Sequence, residues 1–300
     1  MSVMVMTGGT SGFGAIAADR IACTDSARLL LGARRTATGA VLPLDLTELA
    51  SVRAFATEVR ETLGDTRIDA LVLNAGVIRP DADGRTVDGF ETTFAVNHLA
   101  HYLLLRLLLP LLTDTATVVL TTSGTHDPAT KGGLTPPRHA DATLLAHPDR
   151  DPGRDPTPRK AGQHAYTAAK LCAVLTARAL SEYGGTHRRL TAIAYCPGQV
   201  FGTGLAGNLA FPLPVVWSLL GTPALARPLR AFNRHFNTPA AAGAALADLA
   251  LGHATPPDGR TYAALRRGVL TWPQPSESAR DPQAARALWA DSAELVGMSP

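Results

Sequence analysis

Ser2–Thr7 is an apolar run and Gly12–Thr24 an Ala/Ile-rich helical stretch, and Thr7-Gly8-Gly9-Thr10-Ser11-Gly12-Phe13-Gly14 joins them. A strand that turns through glycines straight into a helix admits few folds. Glycines allow close backbone approach, and a helix start offers unpaired N–H groups at a positive dipole end. That combination suits a pyrophosphate, so the turn predicts a dinucleotide site.

The same rhythm continues. The sequence predicts strands near 28–32, 40–44, 68–73 and 115–122, and helices over 48–63 and 87–112. Further helices are expected over 165–183, 238–251 and 281–295, and strands over 189–195 and 259–264. Such alternation implies βαβ units with helices on both faces of a parallel sheet. The near-continuous apolar strands fit a sheet covered on both sides. The expected fold is α/β: a doubly wound Rossmann fold with a mainly parallel seven-stranded sheet.

Two segments interrupt the pattern. Residues 127–163 hold seven prolines among many polar residues and read as an inserted loop. Residues 200–236 are apolar but broken by proline and read as a substrate lid. With no linker or repeat in view, a single dinucleotide-binding catalytic domain over 1–300 is expected.

Composition removes other classes. The net charge is only +3, and the basic residues are scattered, which argues against nucleic acid as a partner. Cys23, Cys172 and Cys196 are odd in number and lack disulfide or zinc spacing. No uninterrupted apolar run reaches membrane-spanning length, and the start does not resemble a signal peptide, so a cytoplasmic protein is expected. His98 and His101 stand three apart with no third ligand, so no metal site is predicted. His126, His139, His147 and His164 read as solvated loop histidines, with His126 and His164 near enough in sequence to Ser123 and Tyr166 to line a pocket. Cys196 reads as a small buried residue.

The end of the second strand selects the cofactor. An acid there would bind a ribose hydroxyl, whereas arginine accepts a 2′-phosphate. The sequence runs Leu31-Gly32-Ala33-Arg34-Arg35 with no acid, so NADP(H) is expected. Later, Tyr166 and Lys170 stand four apart on a predicted helix, on one face. An ammonium near the phenol is expected to lower its pKa and make Tyr166 a usable acid or base.

Taken in order, Thr7-Gly8-x-x-x-Gly12-x-Gly14, Asn74-Ala75-Gly76, Asn97, Ser123, Tyr166-x-x-x-Lys170 and Pro197-Gly198 closely resemble the short-chain dehydrogenase/reductase family. The run Phe94–His101 and the tail Leu288–Gly297 are similar to its retinol dehydrogenase and protochlorophyllide reductase branch. The resemblance implies a catalytic set of Asn97, Ser123, Tyr166 and Lys170. Tyr166 would exchange the proton, Ser123 would orient the carbonyl, and Lys170 would tune Tyr166 and bind ribose hydroxyls. Asn97 would interrupt its helix and hold a water in a relay through Lys170. The cofactor would be bound by Thr7, Gly8, Gly12, Phe13, Gly14, Arg34, Arg35, Asp45, Leu46, Asn74, Ala75, Gly76, Tyr166, Lys170, Pro197, Gly198 and Val200.

Two departures stand out. The Ser123–Tyr166 spacing is long, which puts the substrate pocket in question. The threonine that usually follows Pro-Gly directly comes late, as Thr203.

The expectation is an NADP(H)-dependent ketoreductase-type oxidoreductase acting on a bulky hydrophobic carbonyl or alcohol in secondary metabolism. A homodimer or homotetramer is what the family implies. Competing readings are enone C=C reduction, a redox-neutral cyclase or dehydratase retaining NADP(H), and a non-catalytic NADP(H)-binding sensor.

Overall fold

The computed structural model describes residues 1–34, 41–183, 189–201, 233 and 235–299. Its first half runs β1 (Ser2–Thr7), α1 (Gly12–Ala22), β2 (Ala27–Ala33), β3 (Val41–Pro43), α2 (Leu49–Leu63) and β4 (Ile68–Leu73). Helix α3 (Thr92–Leu111) and strand β5 (Leu112–Thr121) follow. The second half runs α4 (Ala142–Ala146), α5 (Pro158–Tyr183), β6 (Thr191–Cys196), α6 (Pro239–Ala250), β7 (Tyr262–Arg266), β8 (Val269–Thr271) and α7 (Pro282–Leu295).

The sheet order is β3-β2-β1-β4-β5-β6-β7-β8, parallel except for the final antiparallel pair. Eight strands therefore replace the seven expected. The extra strand, β8, is three residues long and follows a bend at Arg267 and Gly268, with φ of 50° and 78°. A strand that short carries no readable alternation. Chain order reverses between β1 and β4, which places the binding crevice beyond their carboxyl ends.

Side chains alternate between two cores. Val3, Val5, Leu71 and Leu73 face one cluster with α2, α3, α5 and α7. Met4, Met6, Ala70 and Val72 face the other with α1 and α6. This is the pattern of strands buried on both faces.

Helix α3 begins later than the sequence predicted. Val87 is 77% exposed, and Gly89 turns the chain at φ 86°. The buried Glu91 then caps the helix, its carboxylate accepting from the Thr93 and Phe94 amides. Burial pushes Glu91 up to about 7, against the lowering effect of those amides. The helix is long and apolar enough to cross a membrane, yet it is mostly buried in the larger core. Residues Ala95–Leu99 within it form a π-helical segment.

The inserted segment is more ordered than a solvated loop. Pro128 and Pro148 start short 3-10 turns, and Pro158 starts α5, all first-turn positions where proline is tolerated. Arg138 pairs with Asp151 and Asp155, while Arg154 pairs with Asp83 and Arg85 with Asp149. The last two pairs tie the insertion to the loop after β4. The apolar lid expected over 200–236 lies almost entirely outside the described residues, as does Thr203.

Gly243 in α6 lies directly against α1. A Cβ there would stand 2.6 Å from the Phe13 carbonyl oxygen and 2.7 Å from Ile16 Cβ. Gly243→Ala should therefore destabilise the protein by about 1–3 kcal/mol, although alanine is intrinsically the better helix former. A lower urea midpoint with unchanged slope would register the change.

Candidate active site

The nucleotide end is built around the Thr7 hydroxyl. It accepts from the Asn74 and Ala75 amides at 3.1 and 3.2 Å, and bonds His101 Nε2 at 3.0 Å. Asn74 Nδ2 donates to the Gly8 carbonyl, and Asn74 Oδ1 accepts from Thr121 Oγ1. The ends of β1, β4 and β5 are thereby joined. Gly8 adopts φ 68°, and a Cβ there would meet the Ala75 nitrogen at 2.6 Å. On Gly14 it would meet the Gly8 carbonyl at 2.0 Å. Both positions exclude any side chain.

The start of α1 fits a dinucleotide. Its N-cap, Ser11, makes no side-chain cap bond, and the first turn holds no acid. Thr10, Ser11 and Gly12 are exposed. Uncapped first-turn amides are what a pyrophosphate requires. Phe13 is half-buried beside them. Arg34 follows β2 directly and is exposed; Arg35 lies outside the described residues. Asp45, after β3, uses Oδ1 to accept from the Thr47 amide and hydroxyl, and Leu46 is buried. Ala75 and Gly76 continue from Asn74 along the crevice floor.

Ser123 lies just past the end of β5 and Tyr166 and Lys170 on α5. Thr122 Oγ1 donates to the Lys170 carbonyl, and Lys170 Nζ donates to the Thr121 carbonyl at 3.0 Å. These bonds hold the helix to the strand end. Lys170 Nζ stands 5.6 Å from the Tyr166 ring centre. Ser123 hydrogen-bonds Tyr166 and also accepts from the Thr125 amide and hydroxyl. A Cβ on Gly76 would lie 3.2 Å from Asn97 Oδ1 and 3.5 Å from Lys170 Nζ. Gly76 thus opens the space where these two residues approach.

The electrostatics differ from the sequence expectation in one respect. Tyr166 is not lowered: burial pushes it up to about 12, with the Ser123 bond opposing. Desolvation outweighs the Ser123 bond, and Tyr166 is held as a neutral phenol. Burial also pushes Lys170 down to about 8.

Asn97 sits inside the π-helical segment, as an interrupted helix requires. Its side chain grips the Val77 backbone, Oδ1 accepting from the amide and Nδ2 donating to the carbonyl, both at 2.8 Å. His101 hydrogen-bonds to the Asn97 main-chain carbonyl.

At the far end, Gly198 adopts φ 76° against the His235 carbonyl. Asn237 Nδ2 donates to the Pro197 and Leu265 carbonyls, and its Oδ1 accepts from the Gly268 amide. Val200 is buried. Nothing in the sequence marks Asn237, because the clamp spans residues distant along the chain. His126 and His164 are buried rather than solvated. His126 Nδ1 bonds the Ser123 carbonyl at 2.7 Å, and His164 Nε2 accepts from the Arg138 amide. Among the described residues no three His, Cys, Asp or Glu form a metal-binding group.

Residues 2–132 match the family model described as short chain dehydrogenase. Protochlorophyllide reductase A of Oryza sativa is 30% identical, across 99% of this chain and 81% of that protein. The chain belongs to the short-chain dehydrogenase/reductase family. Human retinol dehydrogenase 13 is 32% identical across 85% of this chain and 68% of its own length. An uncharacterised protein from Mycobacterium paratuberculosis, 25% identical, superposes over 100% of this chain and 94% of that one with a TM-score of 0.65. These similarities place the chain among the family's oxidoreductases, in the branch that its sequence resembles.

Two histidines beside this site couple it to stability. Burial pushes His98 and His101 down to about 3, from an ordinary value of 6.5. The unfolded chain takes up protons that the folded chain refuses. Stability is therefore full above about pH 6.5 and falls as pH drops towards 3. Urea midpoints at about pH 7.5 and 5 should show that loss, and His98→Gln/His101→Gln should flatten the dependence. An unchanged slope in the double variant would contradict it.

Proposed function

We propose that this chain is an NADP(H)-dependent oxidoreductase interconverting a carbonyl and an alcohol on a bulky, largely apolar substrate. The observation that carries this reading is the convergence of the Ser123 hydroxyl, the Tyr166 phenol and the Lys170 ammonium beside a glycine turn and an uncapped helix start. Relatives named as a reductase and a dehydrogenase support the same class of chemistry.

When bound, the nicotinamide supplies or accepts the hydride, which no side chain can do. The protein's own groups handle the oxygen. Negative charge grows on that oxygen during reduction, and donors aimed at it stabilise the charge. Ser123 orients the carbonyl. Tyr166, held as a neutral phenol, donates its proton to the oxygen, and in the reverse direction takes it back. Lys170 keeps a positive charge beside Tyr166 at neutral pH and stabilises the tyrosinate as it forms. Asn97 positions the Val77 backbone, and its Oδ1 borders the space beside Gly76 into which Lys170 Nζ also reaches. Gly8, Gly12, Gly14 and the start of α1 hold the pyrophosphate, and Asp45 the adenine. Arg34, exposed at the end of β2, supports the preference for a 2′-phosphate, because no acid stands there to repel it.

Purified protein should oxidise NADPH in the presence of suitable carbonyls. Tyr166→Phe should lower kcat by roughly 10²–10⁴-fold with little change in Tm. Arg34→Ala should raise the KM for NADPH by about 10–100-fold and leave NADH unaffected, matching the loss of one charge-assisted contact. Equal use of NADH and NADPH by the unaltered protein would contradict the cofactor preference. Product formation with no change in nicotinamide absorbance would favour a redox-neutral enzyme.

A further inference from the structure

A second group of polar side chains stands behind Ser123, on the catalytic face of the sheet. Tyr262 and Ala264 of β7 face the core that contains α5. By alternation, Arg266 at the carboxyl end of the strand shares that face. This is the end of the sheet where doubly wound folds bind their ligands. The Arg266 guanidinium donates to the Leu265 carbonyl at 3.1 Å and lies 3.9 Å from Cys196 Sγ. That sulfur is 3.7 Å from where a Cβ would stand on Gly124, the neighbour of Ser123. The Tyr262 phenol also bonds the guanidinium, and the His126 ring stacks edge-on against Tyr262 at 5.1 Å.

Among the described residues the charge has no counterpart. Arg266 is half-buried, and no carboxylate pairs with it among the described residues. Arg138 and Arg154, in the inserted segment, each pair with two aspartates. The ring neighbours are neutral, since burial drives the Tyr262 phenol well up and the His126 imidazole down. A half-desolvated guanidinium without an anion is costly, and a carboxylate entering the site would remove that cost through charge-assisted, paired hydrogen bonds.

We propose that Arg266 is the anion anchor of the substrate pocket, so that the preferred carbonyl substrate is an amphiphile bearing a carboxylate a few bonds from the reacting carbon. This rests on the carbonyl–alcohol reading above and narrows it. The apolar body of the substrate and its acid group have separate sites, and Arg266 sets which end enters first.

Matched probes test it. Benzoylpropionate and its methyl ester differ only in the charge, and phenylbutyrate and its methyl ester are their non-reducible counterparts. With NADPH, the acid ketone should exceed its ester at least tenfold in kcat/KM, through KM and not kcat. By calorimetry in the presence of NADP⁺, phenylbutyrate should bind at least tenfold more tightly than its ester, and added salt should narrow the gap. Arg266→Met should erase both preferences while leaving the esters unchanged, and Arg266→Lys should restore part of each. Cys196→Ala should keep them. Equal binding of acid and ester, equal weakening of both by Arg266→Met, or loss of the preference in Cys196→Ala would each overturn the anchor. If neither ketone is reduced but phenylbutyrate still binds through Arg266, the anchor stands and the carbonyl reading falls. If the ester ketone is reduced in a Tyr166-dependent way but charge is ignored, the reverse holds.

Discussion

One hydroxyl joins the parts of this protein that must act together. Thr7 closes β1, receives the two amides that open the crevice floor after β4, and bonds His101 on α3. His101 in turn reaches the Asn97 main-chain carbonyl within the π-helical segment. A displacement of the nucleotide turn is therefore felt at the residue that borders Lys170. Buried polar groups of this kind are stable only when every partner is present, and here each is accounted for. The cost of burial is visible instead in the histidines, which the fold keeps uncharged.

Burial also sets the protonation of the proposed catalytic groups. A phenol beside an ammonium in water would lose its proton more readily. Here both groups are removed from water, and desolvation disfavours the charged form of each: Tyr166 moves up and Lys170 down. The pair thus rests as phenol and ammonium at neutral pH. That is the protonation state that reduction of a carbonyl consumes. The Ser123 hydroxyl completes the arrangement, itself steadied by Thr125 and by the grip of His126 on its carbonyl.

Much of this was legible in the sequence. The glycine turn, the strand and helix rhythm, and the Tyr166–Lys170 spacing follow from local periodicity and backbone freedom, which a sequence states directly. What it concealed depended on contacts between distant segments. Asn237 clamps Pro197 and Leu265 only because the segment before α6, the chain just after β6 and strand β7 meet there. His164 became buried because the insertion folds back over α5, where proline starts helical turns instead of ending structure. Strand β8 was too short to show alternation, and the direction of the Tyr166 shift depended on burial, which spacing does not report.

In the proposed reaction, reduction begins from a neutral Tyr166 phenol beside a charged Lys170. The pH dependence of kcat/KM for carbonyl reduction tests it most directly, because that ratio reports the ionisations of the free enzyme. The ratio should show a plateau at neutral pH that falls above about 8, where Lys170 loses its proton. Lys170→Arg should carry that limb to higher pH. A Tyr166-dependent rate for reduction that instead rises from about pH 6 to 9 would mean that a tyrosinate is the working species, and would contradict it.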